Sequence, residues 1–216
     1  MLSALEQFAP LPLQEGFDNA GLQVGLTEAE VSGALLCLDV TEAIVDEAIA
    51  KHCNLIVSHH PLIFHKLNRV SNDDYVQRTV WKAIKNDVCI VSMHTNMDNA
   101  PGGVNFRIAA KMRLADVRYF GETRHYDDVV DGEPRRVTYA SGVMGTFEEP
   151  LAADDLVCLL RNRFDVECVQ CNQLLRRPIR KVAICGGSGA FLLSEAIKAG
   201  ADAFVTGEMH YHEFFG

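Results

Sequence analysis

At residues 54–61 the chain reads Asn54-Leu55-Ile56-Val57-Ser58-His59-His60-Pro61, an apolar run followed by two histidines and a proline. The run predicts a strand buried on both faces that ends near Pro61, because proline cannot continue a hydrogen-bonded ladder. Ligands in open α/β sheets bind outside the carboxyl ends of such strands. Neighbouring strand residues point to opposite faces, so His59 and His60 serve one site only if the chain leaves the sheet there. The alternative is one structurally satisfied histidine and one exposed histidine.

Strands and helices alternate around this segment. The predicted strands lie at 34–38, 55–57 and 88–91, and the predicted helices begin at Thr41, run from about Asp73 to Asn86, and run from about Gly103 to Met112. Thr41 is a good N-cap, and apolar residues recur behind it at helical spacing. This order predicts an α/β fold with a mostly parallel sheet, helices on its faces and right-handed crossovers.

The chain changes character after residue 113. Residues 114–136 are highly charged and contain turn residues such as Asp131-Gly132, which we interpret as a connector. Residues 137–143 predict an antiparallel or edge strand, and Pro150 is placed to open a helix that runs to about Phe164. The predicted organisation is a first α/β unit at 1–113, a connector at 114–136 and a second α/β unit at 137–216.

The last part of the chain repeats the first part without a gap. The matches are Cys37 with Cys185, Glu47-Ala48-Ile49 with Glu195-Ala196-Ile197, and Leu55-Ile56-Val57-Ser58 with Ala203-Phe204-Val205-Thr206. The constant offset indicates a duplicated βαβ unit, although chance or shared constraints on such units would also explain so few identities. His59 and His60 then fall opposite Gly207 and Glu208, so each unit would carry polar residues at a strand end.

Composition and charge narrow the functional classes. The 216 residues, 48% of them hydrophobic, suffice for one large domain or two small ones. A net charge of -9 and a pI near 5.3 offer no basic footprint, so nucleic acid is not an expected partner. The N-terminus lacks the pattern of a signal peptide, and no stretch approaches the ~20 apolar residues that span a bilayer. We therefore expect no membrane association and a cytoplasmic location.

Cysteine usage fits a reducing compartment. The seven cysteines are an odd number, and Cys37, Cys89 and Cys185 fall in apolar runs, as expected of buried thiols. The pair Cys168 and Cys171 has the spacing of a metal knuckle or redox motif. A strand is predicted there, however, and it would aim the two sulfurs apart, so we interpret this pair as structural.

The strand at 88–91 ends like the strand at 55–57. It leads into His94-Thr95-Asn96-Met97-Asp98, which adds a histidine and a carboxylate at a second strand end. Imidazole and carboxylate are the ligands of zinc, iron and manganese sites. Together with His59 and His60, Asp98 is interpreted as a metal ligand rather than an Asx-turn residue. His94 is either a ligand or a residue that orients one through its ring N–H, and we favour the orienting role.

Two further groups are weaker candidates. The loop Gly186-Gly187-Ser188-Gly189 between a strand and a helix has the context of a phosphate-holding loop, although tight-turn geometry explains it equally. It lacks the residues of a P-loop and the spacing of the dinucleotide fingerprint. The other group, near the C-terminus, consists of Glu208, His210, His212 and Glu213, whose position alone does not make them ligands.

Five segments, in order along the chain, carry a family resemblance: Phe17-Asp18-Asn19-Ala20-Gly21-Leu22-Gln23-Val24-Gly25, Val57-Ser58-His59-His60-Pro61-Leu62, His94-Thr95-Asn96-Met97-Asp98-Asn99, Gly186-Gly187-Ser188-Gly189 and Asp202-Ala203-Phe204-Val205-Thr206-Gly207-Glu208. Together they resemble the dinuclear-metal-centre hexameric proteins, which are also called GTP cyclohydrolase 1 type 2 homologues. The resemblance implies two similar intertwined α/β/α units in a toroidal homohexamer. It also implies two divalent metal ions (zinc, iron or manganese), with His59, His60 and Asp98 matching the family's ligands.

The sequence departs from the family pattern at its C-terminal end. The family's remaining ligands, a histidine and a glutamate four residues apart, lie beyond the Tyr-His motif that here reads Tyr211-His212. We therefore expect a C-terminally truncated chain, of the shorter family form without an inserted domain.

Two hypotheses for function follow from the resemblance. The first is a hydrolase that uses two divalent metals to activate water against a small molecule such as a purine nucleotide, with His94 orienting a group or shuttling a proton. The alternative is a non-catalytic metal-binding or regulatory hexameric scaffold. The two differ in whether the metals keep an open coordination position beside a substrate cleft.

Overall fold

The computed structural model describes residues 1–130 and 133–215. It divides into two compact units, Met1–Ala100 and Pro101–Gly216. The turn residues Asp131 and Gly132 of the sequence analysis lie outside the described residues. None of the described helices is long and apolar enough to cross a bilayer.

The first unit is built on a four-stranded sheet of order β1-β4-β3-β2. Its elements are α1 (Leu2–Phe8), a 3-10 helix (Leu11–Leu13), β1 (Gly21–Val24), β2 (Ala34–Cys37), α2 (Glu42–Ala50), β3 (Leu55–Ser58), α3 (Tyr75–Lys85), β4 (Cys89–Ser92) and α4 (Thr95–Asn99). Strands β2, β3 and β4 are parallel, and β1 runs antiparallel to β4. The predicted parallel α/β arrangement is confirmed for this unit.

Local signals in the sequence set the helix starts of the first unit. The Thr41 side chain accepts a hydrogen bond from the Ile44 backbone N–H at 3.3 Å, and the Asp74 side chain accepts one from Gln77 at 2.9 Å. Helices α2 and α3 and the central strands β3 and β4 together form one apolar core. The core includes Val45, Ala48, Ile56, Val80, Ala83 and Ile90. Burial of the β3 and β4 side chains on this core explains their continuous apolar runs.

The second unit is built on a four-stranded sheet of order β10-β9-β8-β5 and a two-stranded sheet of β6 and β7. Its elements are α5 (Val104–Lys111), β5 (Ala115–Phe120), β6 (Arg124–Val130), β7 (Glu133–Tyr139), β8 (Gly142–Leu151), α6 (Ala153–Phe164), β9 (Ile179–Cys185), a 3-10 helix (Ala190–Leu192), α7 (Leu193–Lys198), β10 (Ala203–Thr206) and a 3-10 helix (Tyr211–Phe215). In the larger sheet, β9 and β10 are parallel, whereas β8 is antiparallel to both β9 and β5. The sheet of this unit is therefore mixed rather than mostly parallel.

The structure differs from the sequence-based organisation between residues 101 and 171. Helix α5, which was assigned to the first unit, packs in the core of the second unit, and the stretch read as a connector holds β5 and β6. Pro150 lies in β8, and α6 begins only at Ala153. The sequence signal was weak because four of the five residues at 124–128 of β6 are polar or charged, types that strands use less often.

The predicted strand around Cys168 is absent from the described residues of that stretch. Helix α6 ends with Asp165 in the left-handed conformation, and Cys168 and Cys171 are both exposed free thiols in a loop. The loop contains Asn172 and several charged residues, and it offers no buried face on which a strand could pack.

The duplicated βαβ unit is present with the same strand register in both halves. The register pairs are Ala34–Leu55 and Cys37–Ser58 in β2–β3, and Val182–Ala203 and Cys185–Thr206 in β9–β10. The turns after α2 and α7 each contain a residue with positive φ two positions beyond the helix end, His52 at 56° and Gly200 at 71°. The ungapped sequence match therefore corresponds to equivalent positions in the two units.

Candidate metal centre

The candidate site lies at one edge of the first sheet. His59 and His60 follow β3, His94 follows β4, and Asp39 follows β2, so the carboxyl ends of three parallel strands supply them. Asp18 precedes β1, which is antiparallel to β4 and therefore begins at the same edge. This is the edge at which open α/β sheets bind ligands.

Two buried serines hold the backbone where β3 and β4 end. The Ser58 hydroxyl donates to the His60 carbonyl at 2.9 Å, and the Ser92 hydroxyl donates to the His59 carbonyl at 2.8 Å. Both serines are at most 2% exposed. These bonds keep the chain in place as it leaves the sheet, so the two adjacent imidazoles lie on one side with ring centroids 5.0 Å apart.

Three imidazoles form a compact cluster. One ring nitrogen each of His59, His60 and His94 lies within 4.8 Å of the other two. A carboxylate lies beside them, because Oδ1 of Asp98 is 3.8 Å from Nε2 of His59. The structure thus brings together all four residues that the sequence singled out. Their individual roles as ligand or catalytic group stay predictions.

Every imidazole of the cluster has a hydrogen-bond acceptor at its Nδ1 atom. His59 Nδ1 is 2.9 Å from the Met93 carbonyl, His60 Nδ1 is 2.7 Å from Asp39 Oδ1, and His94 Nδ1 is 2.8 Å from Asp18 Oδ1. A carbonyl or an ionised carboxylate only accepts, so each Nδ1 donates. Nε2 is then the nitrogen that each ring offers to a cation, which is the usual arrangement of metal-binding histidines.

The two carboxylate partners differ in exposure. The Asp18 side chain is 0% exposed and also accepts hydrogen bonds from the backbone N–H and the hydroxyl of Thr95. Burial opposes its ionisation, but the hydrogen bonds from His94, Thr95 and Asn19 outweigh burial and lower the pKa of Asp18 to about 2. The Asp39 side chain, by contrast, is 64% exposed.

Asp98 lies on α4, one turn after His94. Its backbone N–H donates to the His94 carbonyl at 3.1 Å, so it belongs to a helical turn. Burial raises the pKa of the Asp98 carboxyl, and the nearby imidazoles of His59 and His94 lower it in part. A partly buried carboxylate close to three imidazoles suits a divalent cation, since the cation would offset the cost of burying the charge.

Buried asparagines anchor the short helix α4. The Asn96 side chain donates to the Ala9 carbonyl at 2.7 Å, and the Asn99 side chain donates to the Leu13 carbonyl at 2.8 Å. A five-residue helix is not stable by itself, so these tertiary bonds hold Asp98 in position.

Two aromatic rings border the cluster. Phe64 contacts His94 edge-on with centroids 6.2 Å apart, and Phe17 contacts Phe64 at 6.5 Å. Phe17 is 67% exposed and Phe64 is 41% exposed. Asn19 and Gln23 hold the loop before Phe64, since each bonds to the backbone of Ile63. The cluster therefore lies beside apolar surface that remains accessible.

The weaker candidates lie in the second unit. The glycine loop is hydrogen-bonded to neighbouring segments: the Gly186 N–H donates to Asn105, the Gly189 N–H donates to Thr206, and the Gly187 carbonyl accepts from Gly207 and Glu208. This geometry supports the tight-turn interpretation over a phosphate site. In the second group, His210 pairs with Glu213 at 3.4 Å and stacks on His212.

The sequence analysis missed Asp18 and Asp39 as partners of the site. Asp18 was named only within the segment 17–25 that carries the family resemblance, and Asp39 was not singled out. A signal was available for Asp39, because it follows a parallel strand as the histidines do. No pattern in the sequence pairs Asp18 with His94, which is 76 residues away.

The chain is similar to known proteins along its length. A family model described as Duf34/NIF3 (NGG1p interacting factor 3) matches residues 1–216. A Clostridium perfringens protein named GTP cyclohydrolase 1 type 2 homolog is 32% identical over 212 residues, which cover 98% of this chain and 77% of that protein. A protein of the same name from Clostridium acetobutylicum is 30% identical over 213 residues, which cover 98% of this chain and 76% of that protein. The crystal structure of a Staphylococcus aureus protein superimposes with a TM-score of 0.86 at 28% identity, covering 99% of this chain and 80% of that one.

Proposed function

The chain belongs to the Duf34/NIF3 (NGG1p interacting factor 3) family, and on that premise we propose that it is a metal-dependent hydrolase of small molecules. The observation that carries the proposal is the cluster of His59, His60 and His94 beside Asp98. We propose two divalent ions, of zinc, iron or manganese, as its cofactors. A cytoplasmic location is part of the same proposal.

The donor set fits such ions. Imidazole nitrogen and carboxylate oxygen are ligands of all three metals, and each Nδ1 atom already donates to a protein acceptor. His59, His60 and Asp98 would hold the metals. A bound divalent cation supplies Lewis-acid chemistry, which activates water and polarises an electrophilic carbon or phosphorus centre.

His94 would act beside these ligands as an orienting or proton-transferring group. Its Nδ1 atom donates to the buried Asp18, so Nε2 faces the cluster as a hydrogen-bond acceptor or a ligand. The same pairing would stabilise the imidazolium after His94 has taken up a proton.

Two features support a small-molecule substrate. The His60 side chain is 46% exposed, so the cluster is accessible from solvent. The exposed ring of Phe64 lies beside His94, the exposed ring of Phe17 contacts Phe64 edge-on, and each ring offers an apolar face on which a nucleobase would stack. The name GTP cyclohydrolase 1 type 2 homolog, which the Clostridium relatives carry, makes a nucleotide the first substrate to test. As a separate proposal, also based on the family resemblance, the chain assembles as a toroidal homohexamer.

The test is to load the chain with zinc, iron or manganese, to count bound metal, and to assay GTP and a panel of phosphoesters. We expect turnover that needs metal and is lost in His59→Ala. Protein that binds two metals per chain and turns over no substrate would favour the alternative, a non-catalytic metal-binding scaffold. Sedimentation velocity on the same samples would test the hexamer.

A further inference from the structure

Of the carboxylate–imidazole pairs described at the candidate site, the pair of Asp18 and His94 is the most buried. Asp18 Oδ1 lies 2.8 Å from His94 Nδ1, and Asp18 Oδ2 accepts from the Thr95 backbone N–H at 3.0 Å and from the Thr95 hydroxyl. The Asp18 side chain is 0% exposed and the His94 side chain is 18% exposed. Water therefore has no access through which it could replace the carboxylate at His94 Nδ1.

We propose that Asp18 is a positioning residue of the metal centre, which holds His94 with its proton on Nδ1 and its Nε2 lone pair directed at His59 and His60. This role rests on the proposed metal site. Asp18 would act through His94 and would not itself touch metal or substrate. His94 has a ring nitrogen within 4.8 Å of ring nitrogens of both other histidines, so its tautomer decides whether that cluster contains a third acceptor.

The hydrogen bonds of Asp18 determine what an amide would do in its place. Asp18 Oδ1 accepts from the Asn19 backbone N–H at 2.7 Å as well as from His94, and Oδ2 accepts from the Thr95 backbone N–H. In an Asp18→Asn variant, the single carbonyl oxygen can accept from only one of these two backbone N–H groups, which are donors only. When that oxygen faces Thr95, the amide NH2 group donates to His94 Nδ1, the imidazole proton moves to Nε2, and His94 loses the lone pair that faces the cluster.

Asp39 provides a matched control. It pairs with His60 Nδ1 at 2.7 Å in the same way, but its side chain is 64% exposed and that of His60 is 46% exposed. Water would replace the lost acceptor after an Asp39→Asn change, and the amide is free to rotate. The two variants thus make the same chemical change at a buried and at an exposed partner of the same cluster.

The test uses the imidazole proton–nitrogen correlation spectrum of metal-free protein at alkaline pH, where the nitrogen shifts report the tautomer of each ring. His94→Gln identifies the signals of His94. We expect His94 to carry its proton on Nδ1 in the wild type and to populate the Nε2–H tautomer in Asp18→Asn, with no change of the His94 tautomer in Asp39→Asn. A wild-type His94 with its proton on Nε2 would overturn the proposal, and this measurement does not depend on the Asp18→Asn variant.

A Co²⁺ titration, followed by the visible absorption of the bound ion, provides the second readout. Asp18→Asn should weaken Co²⁺ binding by about 10- to 100-fold and change the shape of the absorption band. A loss of this size is expected when a metal-binding histidine loses its hydrogen-bond partner. Asp39→Asn should weaken it by no more than about fivefold, as expected for an exposed pair. Unchanged tautomer and affinity in folded Asp18→Asn would show that Asp18 only stabilises its turn. Wild-type protein that has the Nδ1–H tautomer but binds no Co²⁺ would overturn the metal centre itself, so the two failures are distinguishable.

Discussion

The Nε2 atom of His59 and the Oδ1 atom of Asp98 lie 3.8 Å apart, on different elements of the first unit. This separation is too long for a hydrogen bond. It is close enough for both atoms to bind one cation, since metal–ligand distances of about 2.0–2.2 Å place two ligands of one ion within roughly 4.2 Å of each other. The separation is therefore compatible with a shared cation as well as with an ion pair.

Metal content should depend on this pair. We expect His59→Ala and Asp98→Ala each to lower the metal bound per chain by about half or more, because each removes a donor from the cluster. The measurement is elemental analysis of purified protein after equilibration with zinc. His65→Ala is the control, since His65 contacts Phe64 but lies outside the three-histidine cluster. Unchanged stoichiometry in both site variants would rule out the site assignment.

Asn99→Ala should destabilise the protein by about 2–3 kcal/mol. Asn99 is 1% exposed, and its amide donates to the Leu13 carbonyl, so truncation leaves a buried carbonyl unpaired and a small cavity. Urea unfolding measures the change in the free energy of unfolding. Asn86→Ala is a matched control, because its amide also donates to a backbone carbonyl, that of Lys82, but on the surface. A surface substitution of this kind should change stability by no more than about 0.5 kcal/mol.

Gly25→Ala should destabilise the end of β1 by about 2–4 kcal/mol. Gly25 has a φ of 113°, and an added Cβ would lie 2.4 Å from the Cys89 sulfur and 3.0 Å from the Cys89 Cα. Strand β4, which begins at Cys89, would have to move. The shift in the midpoint temperature of unfolding is measured by thermal unfolding followed by circular dichroism. Gly16→Ala is the control, because a Cβ there meets nothing within 4 Å; equal effects of the two changes would contradict the packing argument.

Asp202→Asn should destabilise the second unit by about 1–2 kcal/mol at neutral pH. Its Oδ2 atom accepts from the Arg180 and Lys181 N–H groups at 2.9 Å each, and Arg177 pairs with its other oxygen. Burial opposes ionisation, but these contacts outweigh it and hold the pKa of Asp202 below the usual carboxyl range. The unfolded state therefore binds a proton at higher pH than the folded state, and stability contributed by Asp202 is lost as pH falls below about 4.

The measurement is urea unfolding of the wild type and Asp202→Asn, at pH 7 and at pH 3.5 or lower. The difference in the free energy of unfolding between the two proteins should be smaller at the acidic pH. Asp73→Asn is the control, because Asp73 pairs with Arg69 at 3.7 Å on the surface with a side chain 57% exposed. An exposed pair contributes about 0–1 kcal/mol, so a larger effect of Asp73→Asn than of Asp202→Asn would contradict the prediction.

The fold of the first unit was predictable because its signals are local. The apolar runs of β3 and β4, the cap at Thr41 and the helical spacing behind it each occupy a few consecutive residues. The second unit was predicted less well, because β6 and β7 form a two-stranded sheet with exposed charged side chains, and their pairing is not visible in the spacing of apolar residues.

By itself, the sequence determined the α/β class, the duplicated βαβ unit and the placement of His59, His60, His94 and Asp98 at strand ends or in the loop beyond them. Hydrophobic periodicity and strand order suffice for these features. Only the tertiary structure decided which acceptor meets each imidazole and which of these acceptors is buried. Asp18 and His94 meet across 76 residues because β1 pairs antiparallel with β4, and such a contact depends on the register of the folded sheet.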